Sequence, residues 1–161
     1  TLNAIKEAIV LEKRGQVLYS SVAKRSESPT VRDIFTKMAE EEAKHEQALA
    51  EHYSSLVSSG KLAAIGELGQ VSDPGELITE KVRKEIKAAG YDAAAIAAAI
   101  ALEKEAERFY LEKRDNAESS VERELFDWLA TWEHGHMELL ASMDRALMED
   151  IWFENSFWPE I

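Results

Sequence analysis

Two short motifs of one kind carry a carboxylate and an imidazole, which are side-chain types able to coordinate metal ions. One runs from Glu42 to His45 and the other from Glu133 to His136, and each has the pattern Glu-x-x-His. Both lie in segments whose apolar residues recur at helical spacing. Residues three apart share one face of a helix, so each motif presents a carboxylate and an imidazole to the same point.

The two motifs are copies within a longer internal repeat. His136 lies 91 residues after His45 (136 − 45), and residues 99–104 repeat residues 8–13 at the same offset. The offset relates three further pairs: Glu42 and Glu133, Glu12 and Glu103, and Tyr19 and Tyr110. Such a repeat indicates two copies of one helix pair. Each copy places a glutamate on its first helix and Glu-x-x-His on its second.

The expected architecture is all-α, an antiparallel four-helix bundle formed by one domain over residues 1–161. The first helix is predicted over residues 2–25. Capping signals mark the starts of the next three helices: Ser28 with Pro29, Asp92, and Ser119 with Glu122. Residues 58–91, punctuated by glycine and proline, are expected to form a long crossover between helices 2 and 3 with a short helix beginning near Asp73. The aromatic tail, residues 150–161, is expected to dock on the bundle or on a second subunit.

Composition excludes several classes of function. The 161 residues carry a net charge of −12, which disfavours binding to nucleic acid. There is no cysteine, so thiolate metal sites and disulfides are excluded. No apolar run approaches the roughly 20 residues of a membrane span. We therefore expect a cytoplasmic protein with neither a nucleic-acid nor a membrane partner.

Six polar residues occupy positions in the helical stripes where apolar residues are expected: Glu12, Glu42, His45, Glu103, Glu133 and His136. Burying four carboxylates without compensation is costly, because each charge loses its hydration and repels the others. Salt bridges could compensate a single glutamate. For the whole set, two divalent cations balance the four negative charges. Carboxylate and imidazole ligands suit iron or manganese and are compatible with zinc.

These motifs resemble those of the rubrerythrin group in the ferritin-like superfamily, and the resemblance covers nearly the whole chain. It is most specific at the two Glu-x-x-His motifs and at the segments that lead from Glu12 to Tyr19 and from Glu103 to Tyr110. It implies a ferritin-like bundle that binds two iron ions. By that resemblance Glu42 and Glu133 bridge the metals, while Glu12 with His45 and Glu103 with His136 are terminal ligands.

Four small or aromatic residues near the predicted ligands have roles that the sequence leaves open. Tyr19 and Tyr110 each lie seven residues, about two turns, beyond a glutamate of the set. They either hydrogen-bond to ligand carboxylates or pack in the core. Gly15 and Ala106 are expected to leave room for an oxygen ligand.

The chain also departs from its relatives. Rubrerythrins end in a rubredoxin domain with four cysteines, so the electron donor expected here is external, such as a rubredoxin-type protein. Ala106 stands where rubrerythrins have a seventh carboxylate, which makes the ligand set resemble the symmetric site of bacterioferritin. Ala43 replaces the haem-binding methionine of bacterioferritin, so no haem is expected.

The function predicted from this pattern is a non-haem di-iron oxidoreductase that reduces H₂O₂ or O₂. The alternative is a ferroxidase that serves iron storage or detoxification. A metal-independent structural bundle is disfavoured by the repeated six-residue set. Because no fifth helix of the kind that closes ferritin cages is evident, the expected assembly is a homodimer or another small homo-oligomer.

Overall fold

The computed structural model describes residues 1–63, 84 and 93–154, which form four long helices. They are α1 (Leu2–Arg25), α2 (Pro29–Ser59), α3 (Ala93–Asp115) and α4 (Ser120–Glu154). The described residues contain no strand, which confirms the all-α prediction. None of the described helices is long and apolar enough to cross a bilayer.

The boundaries of α2 follow from its capping residues. The Ser28 hydroxyl accepts a hydrogen bond from the Val31 amide at 3.3 Å, and Pro29 is the first helical residue. This confirms the predicted start of the helix. Gly60 ends α2 in the left-handed region, with φ 71°, where glycine avoids a steric penalty.

A capping box opens α4, as predicted. The Glu122 amide donates to the Ser119 hydroxyl at 3.1 Å, while the Glu122 carboxylate accepts from the Glu118 amide at 3.2 Å. The return bond thus reaches one residue earlier than in the usual box. The predicted Asp92 cap and the predicted helix near Asp73 lie outside the described residues. Residues 150–154 continue α4, and the rest of the predicted tail also lies outside the described part.

The helices pack in pairs that follow the repeat. α1 packs along α2, α3 packs along α4, and α1 also contacts α3. Two clusters of buried apolar side chains fill the bundle, one including Tyr19 and Phe35 and the other including Tyr110 and Phe126. Tyr19 and Tyr110 also contact the buried polar residues, so both clusters adjoin the polar centre of the bundle.

Candidate metal centre

All six predicted ligands are buried in the bundle, with at most 4% of each residue exposed. Every helix contributes to them: Glu12 from α1, Glu42 and His45 from α2, Glu103 from α3, and Glu133 and His136 from α4. Each residue faces inward because it lies on the apolar stripe of its helix.

The side chains form two overlapping groups that could each hold one metal ion. The first is Glu12, Glu42, His45 and Glu133, and the second is Glu42, Glu103, Glu133 and His136. Within each group, one ligand atom from each residue lies within 4.8 Å of the others. Glu42 and Glu133 belong to both groups, which is the arrangement that two carboxylates shared between two cations require.

His45 directs its Nδ1 atom at the first group. This atom lies 3.0 Å from Glu12 Oε2, 3.6 Å from Glu133 Oε1 and 3.7 Å from Glu42 Oε2. The imidazole also packs against two indoles, with ring centroids 5.1 Å from Trp128 and 5.2 Å from Trp132. The Nδ1 face of His45 is therefore polar, and part of the remaining ring surface is covered by aromatic groups.

His136 is placed in a related way in the second group. Its Nδ1 atom lies 3.0 Å from Glu42 Oε1, 3.7 Å from Glu103 Oε1 and 3.9 Å from Glu133 Oε2. Its other ring nitrogen, Nε2, lies 3.0 Å from Oε2 of Glu41. Glu41 was not among the predicted residues. The repeat gives no signal for Glu41, because the equivalent residue of the other copy is Trp132.

The donor set fits divalent metal ions. Among the described residues, Glu103 Oε2 and Glu133 Oε1 are fully buried without a hydrogen-bond partner, and the equally buried Glu42 Oε1 and His136 Nδ1 have only each other, at 3.0 Å. An unsatisfied buried polar group costs about 1–3 kcal/mol, and more if it is charged. A cation would satisfy these atoms and also offset the repulsion among the four carboxylates.

Without a cation, protons moderate that repulsion. Burial and the neighbouring Glu42 raise the pKa of Glu12 to about 8. Burial and the charges of Glu42 and Glu103 raise the pKa of Glu133 well above its ordinary value. Burial lowers the pKa of His45, but hydrogen bonds with Glu12 and Glu42 outweigh it and raise the pKa to about 9.

Hydrogen bonds within the centre also shift the pKa values of Glu42 and His136. Burial opposes ionisation of Glu42, but hydrogen bonds from Glu12 and from the two histidines outweigh it and lower its pKa. Hydrogen bonds to Glu41 and Glu42 likewise overcome burial at His136 and raise its pKa well above the ordinary value. The metal-free centre therefore holds several protons that a metal ion must displace.

The two tyrosines behave differently. The Tyr110 hydroxyl donates a hydrogen bond to Glu12 Oε1, and burial keeps the pKa of Tyr110 well above 10. The Tyr19 hydroxyl is buried and has no hydrogen-bond partner in the described part of the chain. Its ring packs on Phe35, with centroids 5.8 Å apart, and lies edge-on to His136. Tyr110 therefore hydrogen-bonds to a ligand carboxylate, whereas Tyr19 packs in the core.

The space beside Gly15 is occupied by a ligand side chain. A Cβ atom at Gly15 would lie 3.1 Å from Cδ and 3.3 Å from Oε2 of Glu42. Gly15 was expected to leave room for an oxygen ligand. Its missing side chain instead makes space for the Glu42 carboxylate.

The remaining histidines lie outside the two groups. His134 is half exposed, and its Nδ1 atom lies 2.9 Å from Glu107. His52 is buried, and its Nδ1 atom has no hydrogen-bond partner among the residues described. Neither residue adds a ligand to the centre.

A four-helix bundle in which carboxylates and imidazoles converge from all four helices has the architecture of the ferritin-like class. A sequence model of the family described as Rubrerythrin matches residues 3–144. The chain therefore belongs to the rubrerythrin family. No curated protein and no solved structure matches it.

Proposed function

We propose that this chain is a non-haem di-iron oxidoreductase that reduces H₂O₂ or O₂. The observation that supports the proposal most strongly is the overlap of the two groups at Glu42 and Glu133. Two carboxylates common to both groups would hold two cations side by side. Membership of the rubrerythrin family supports iron as the metal. Manganese and zinc suit the same ligands.

The residues would divide between the two metal positions. Glu12 and His45 would serve one position, Glu103 and His136 the other, and Glu42 and Glu133 both. Two ferrous ions held there would supply two electrons to the oxidant. The protein would bury the reaction among apolar side chains, and Tyr110 would hold the Glu12 carboxylate in place through its hydroxyl hydrogen.

Anaerobic loading with two equivalents of Fe(II) tests this function. Addition of H₂O₂ or O₂ should then oxidise the iron and produce a ferric absorption band within one turnover. Glu42→Ala should lose the band, since it removes a ligand from both positions. The exposed neighbour Glu40 provides a matched control, and Glu40→Gln should retain the band. A wild-type protein whose bound iron is not oxidised would contradict the proposal.

A ferroxidase that stores or detoxifies iron is the second candidate. It is favoured by the symmetric set of six ligands, because Ala106 replaces the seventh carboxylate of typical rubrerythrins. Two measurements separate the candidates. An oxidoreductase should turn over with an external reductant such as a rubredoxin-type protein and keep about two irons per chain. A ferroxidase should instead accumulate soluble iron far beyond that ratio.

The quaternary structure proposed with the first function is a homodimer or another small homo-oligomer. Storage requires a shell of many chains, so the two functions differ in particle mass. Light scattering of the purified protein measures this directly. A particle of a few chains supports the oxidoreductase, whereas a mass of several hundred kilodaltons supports storage.

A further inference from the structure

One difference between the two copies lies beside the histidines of the centre. The six candidate ligands all obey the 91-residue offset, but Glu41 has Trp132 as its counterpart (132 − 41 = 91). Both residues lie directly before a shared glutamate. They therefore occupy equivalent places in the two copies of the helix pair. Their side chains differ, because the carboxylate of Glu41 accepts hydrogen bonds whereas the indole of Trp132 only donates one.

The difference between Glu41 and Trp132 determines which hydrogen bond the Nε2 atom of the neighbouring histidine can make. His136 points Nδ1 at Glu42 and Glu103, and its Nε2 atom is 3.0 Å from the Glu41 carboxylate. With Nε2 protonated, His136 donates this hydrogen to Glu41 and leaves the Nδ1 lone pair free for a cation. Glu41 thus fixes both the tautomer and the orientation of the ring.

Among the described residues, none supports His45 in this way. Its Nδ1 atom faces Glu12 at 3.0 Å, but its Nε2 atom makes no hydrogen bond to any described residue. The adjacent Trp132 cannot accept a hydrogen bond, because an indole N–H only donates. The Nε1 atom of Trp132 is itself buried and has no partner within the described ranges. Among the described residues, His45 is therefore oriented by the contact of Nδ1 with Glu12 and by packing against Trp128 and Trp132, with no carboxylate on Nε2.

We propose that Glu41 is a positioning residue that makes the two metal positions unequal. The position served by Glu103 and His136 binds the first divalent cation and binds it more tightly. A carboxylate that accepts the outer N–H of a metal-binding histidine increases the basicity of the ligand, and its loss costs about 10–100-fold in affinity. The inference rests on the proposed function only in that the six residues hold two cations.

Titration of the metal-free protein with Co²⁺ against a competing chelator tests the inference without measuring activity. We expect two steps in the wild type, with affinities at least about tenfold apart. Glu41→Ala should weaken the position served by Glu103 and His136 by about 10–100-fold and leave the other position unchanged, so that the two steps merge or exchange order. Glu41→Gln keeps an acceptor oxygen and should lie between the two, which also covers the case in which the alanine variant folds poorly. Glu40→Gln removes the same charge nearby and should change neither step.

Two further variants locate the effect. In a Glu103→Ala background the tight position is already damaged, so Glu41→Ala should weaken Co²⁺ binding little further. In a Glu12→Ala background the tight position is intact, and Glu41→Ala should retain its full effect. Equal weakening of both steps by Glu41→Ala, or no change in either, overturns the inference while the two-metal proposal stands. A wild-type protein that binds no Co²⁺ overturns both.

Discussion

Tyr110 of α3 donates its hydroxyl hydrogen to Glu12 of α1, so that one helix pair holds a carboxylate of the other. The repeat would place the equivalent bond between Tyr19 and Glu103. Instead, the Tyr19 hydroxyl and the Glu103 Oε2 atom are both buried without hydrogen-bond partners among the described residues. Two tyrosines that are equivalent in the sequence therefore differ in the fold.

This difference predicts unequal effects of removing the two hydroxyls. Tyr110→Phe should destabilise the metal-free protein by about 1–3 kcal/mol, because it leaves a buried oxygen of Glu12 without its donor. Tyr19→Phe removes a hydroxyl that has no hydrogen-bond partner among the described residues, so it should change the free energy of unfolding little, or increase it. Denaturant unfolding of both variants measures the contrast. Equal destabilisation would show that Tyr19 has a bond equivalent to that of Tyr110.

The protons of the metal-free centre predict how stability depends on pH. The pKa of Glu12 rises from 4.5 to about 8 on folding, so its contribution is complete below pH 4.5 and is lost as the pH rises to 8. The pKa of His45 rises from 6.5 to about 9, so its contribution is complete below pH 6.5 and is lost as the pH rises through 9. Both contributions therefore fall between pH 6.5 and 8, and that of His45 continues to fall up to about pH 9.

Thermal unfolding across this pH range provides the measurement. The melting temperature of the metal-free protein should fall as the pH rises, and a loss of 1 kcal/mol corresponds to about 2–4 °C for a chain of this size. Glu12→Gln cannot lose its proton and should show a shallower fall. A melting temperature that is constant or rises between pH 6.5 and 9 would contradict the proposed protonation.

Gly15 is expected to control the position of Glu42. In Gly15→Ala the added methyl group would come within 3.1 Å of the Glu42 carboxyl carbon, so the carboxylate must move. Alanine favours the helix by about 1 kcal/mol over glycine, which offsets part of this cost in the metal-free protein. The main effect should therefore be weaker binding at both metal positions. Titration with Co²⁺ measures it, and unchanged affinities at both positions would show that Glu42 adjusts freely.

Much of the centre follows from the sequence because helical geometry leaves little freedom. A residue on the apolar stripe of a helix must face the core, and the 91-residue offset shows that two helix pairs carry the same set. Glu42 and Glu133 could be placed in this way before the structure was known. The starts of α2 and α4 were predictable for a similar reason, since Ser28 and Ser119 satisfy local backbone groups.

The departures from symmetry were not predictable by the same reasoning. Glu41 lies beside the apolar stripe of α2. Because Trp132 occupies the equivalent position, a comparison of the two copies does not reveal the role of Glu41. The difference between Tyr19 and Tyr110 depends on where each carboxylate settles among its neighbours. Such positions result from packing between helices in three dimensions, which the period of a single helix does not determine.

The central claim is that six residues form one centre for two cations, with Glu42 and Glu133 shared. Anaerobic titration of the metal-free protein with Fe(II) tests it most directly. The wild type should bind two equivalents per chain, Glu12→Gln should retain one at undiminished affinity, and Glu42→Gln should weaken both. Glu40→Gln should behave as the wild type does. If the wild type binds no Fe(II), or if Glu12→Gln and Glu42→Gln have the same effect, the shared two-metal centre is wrong.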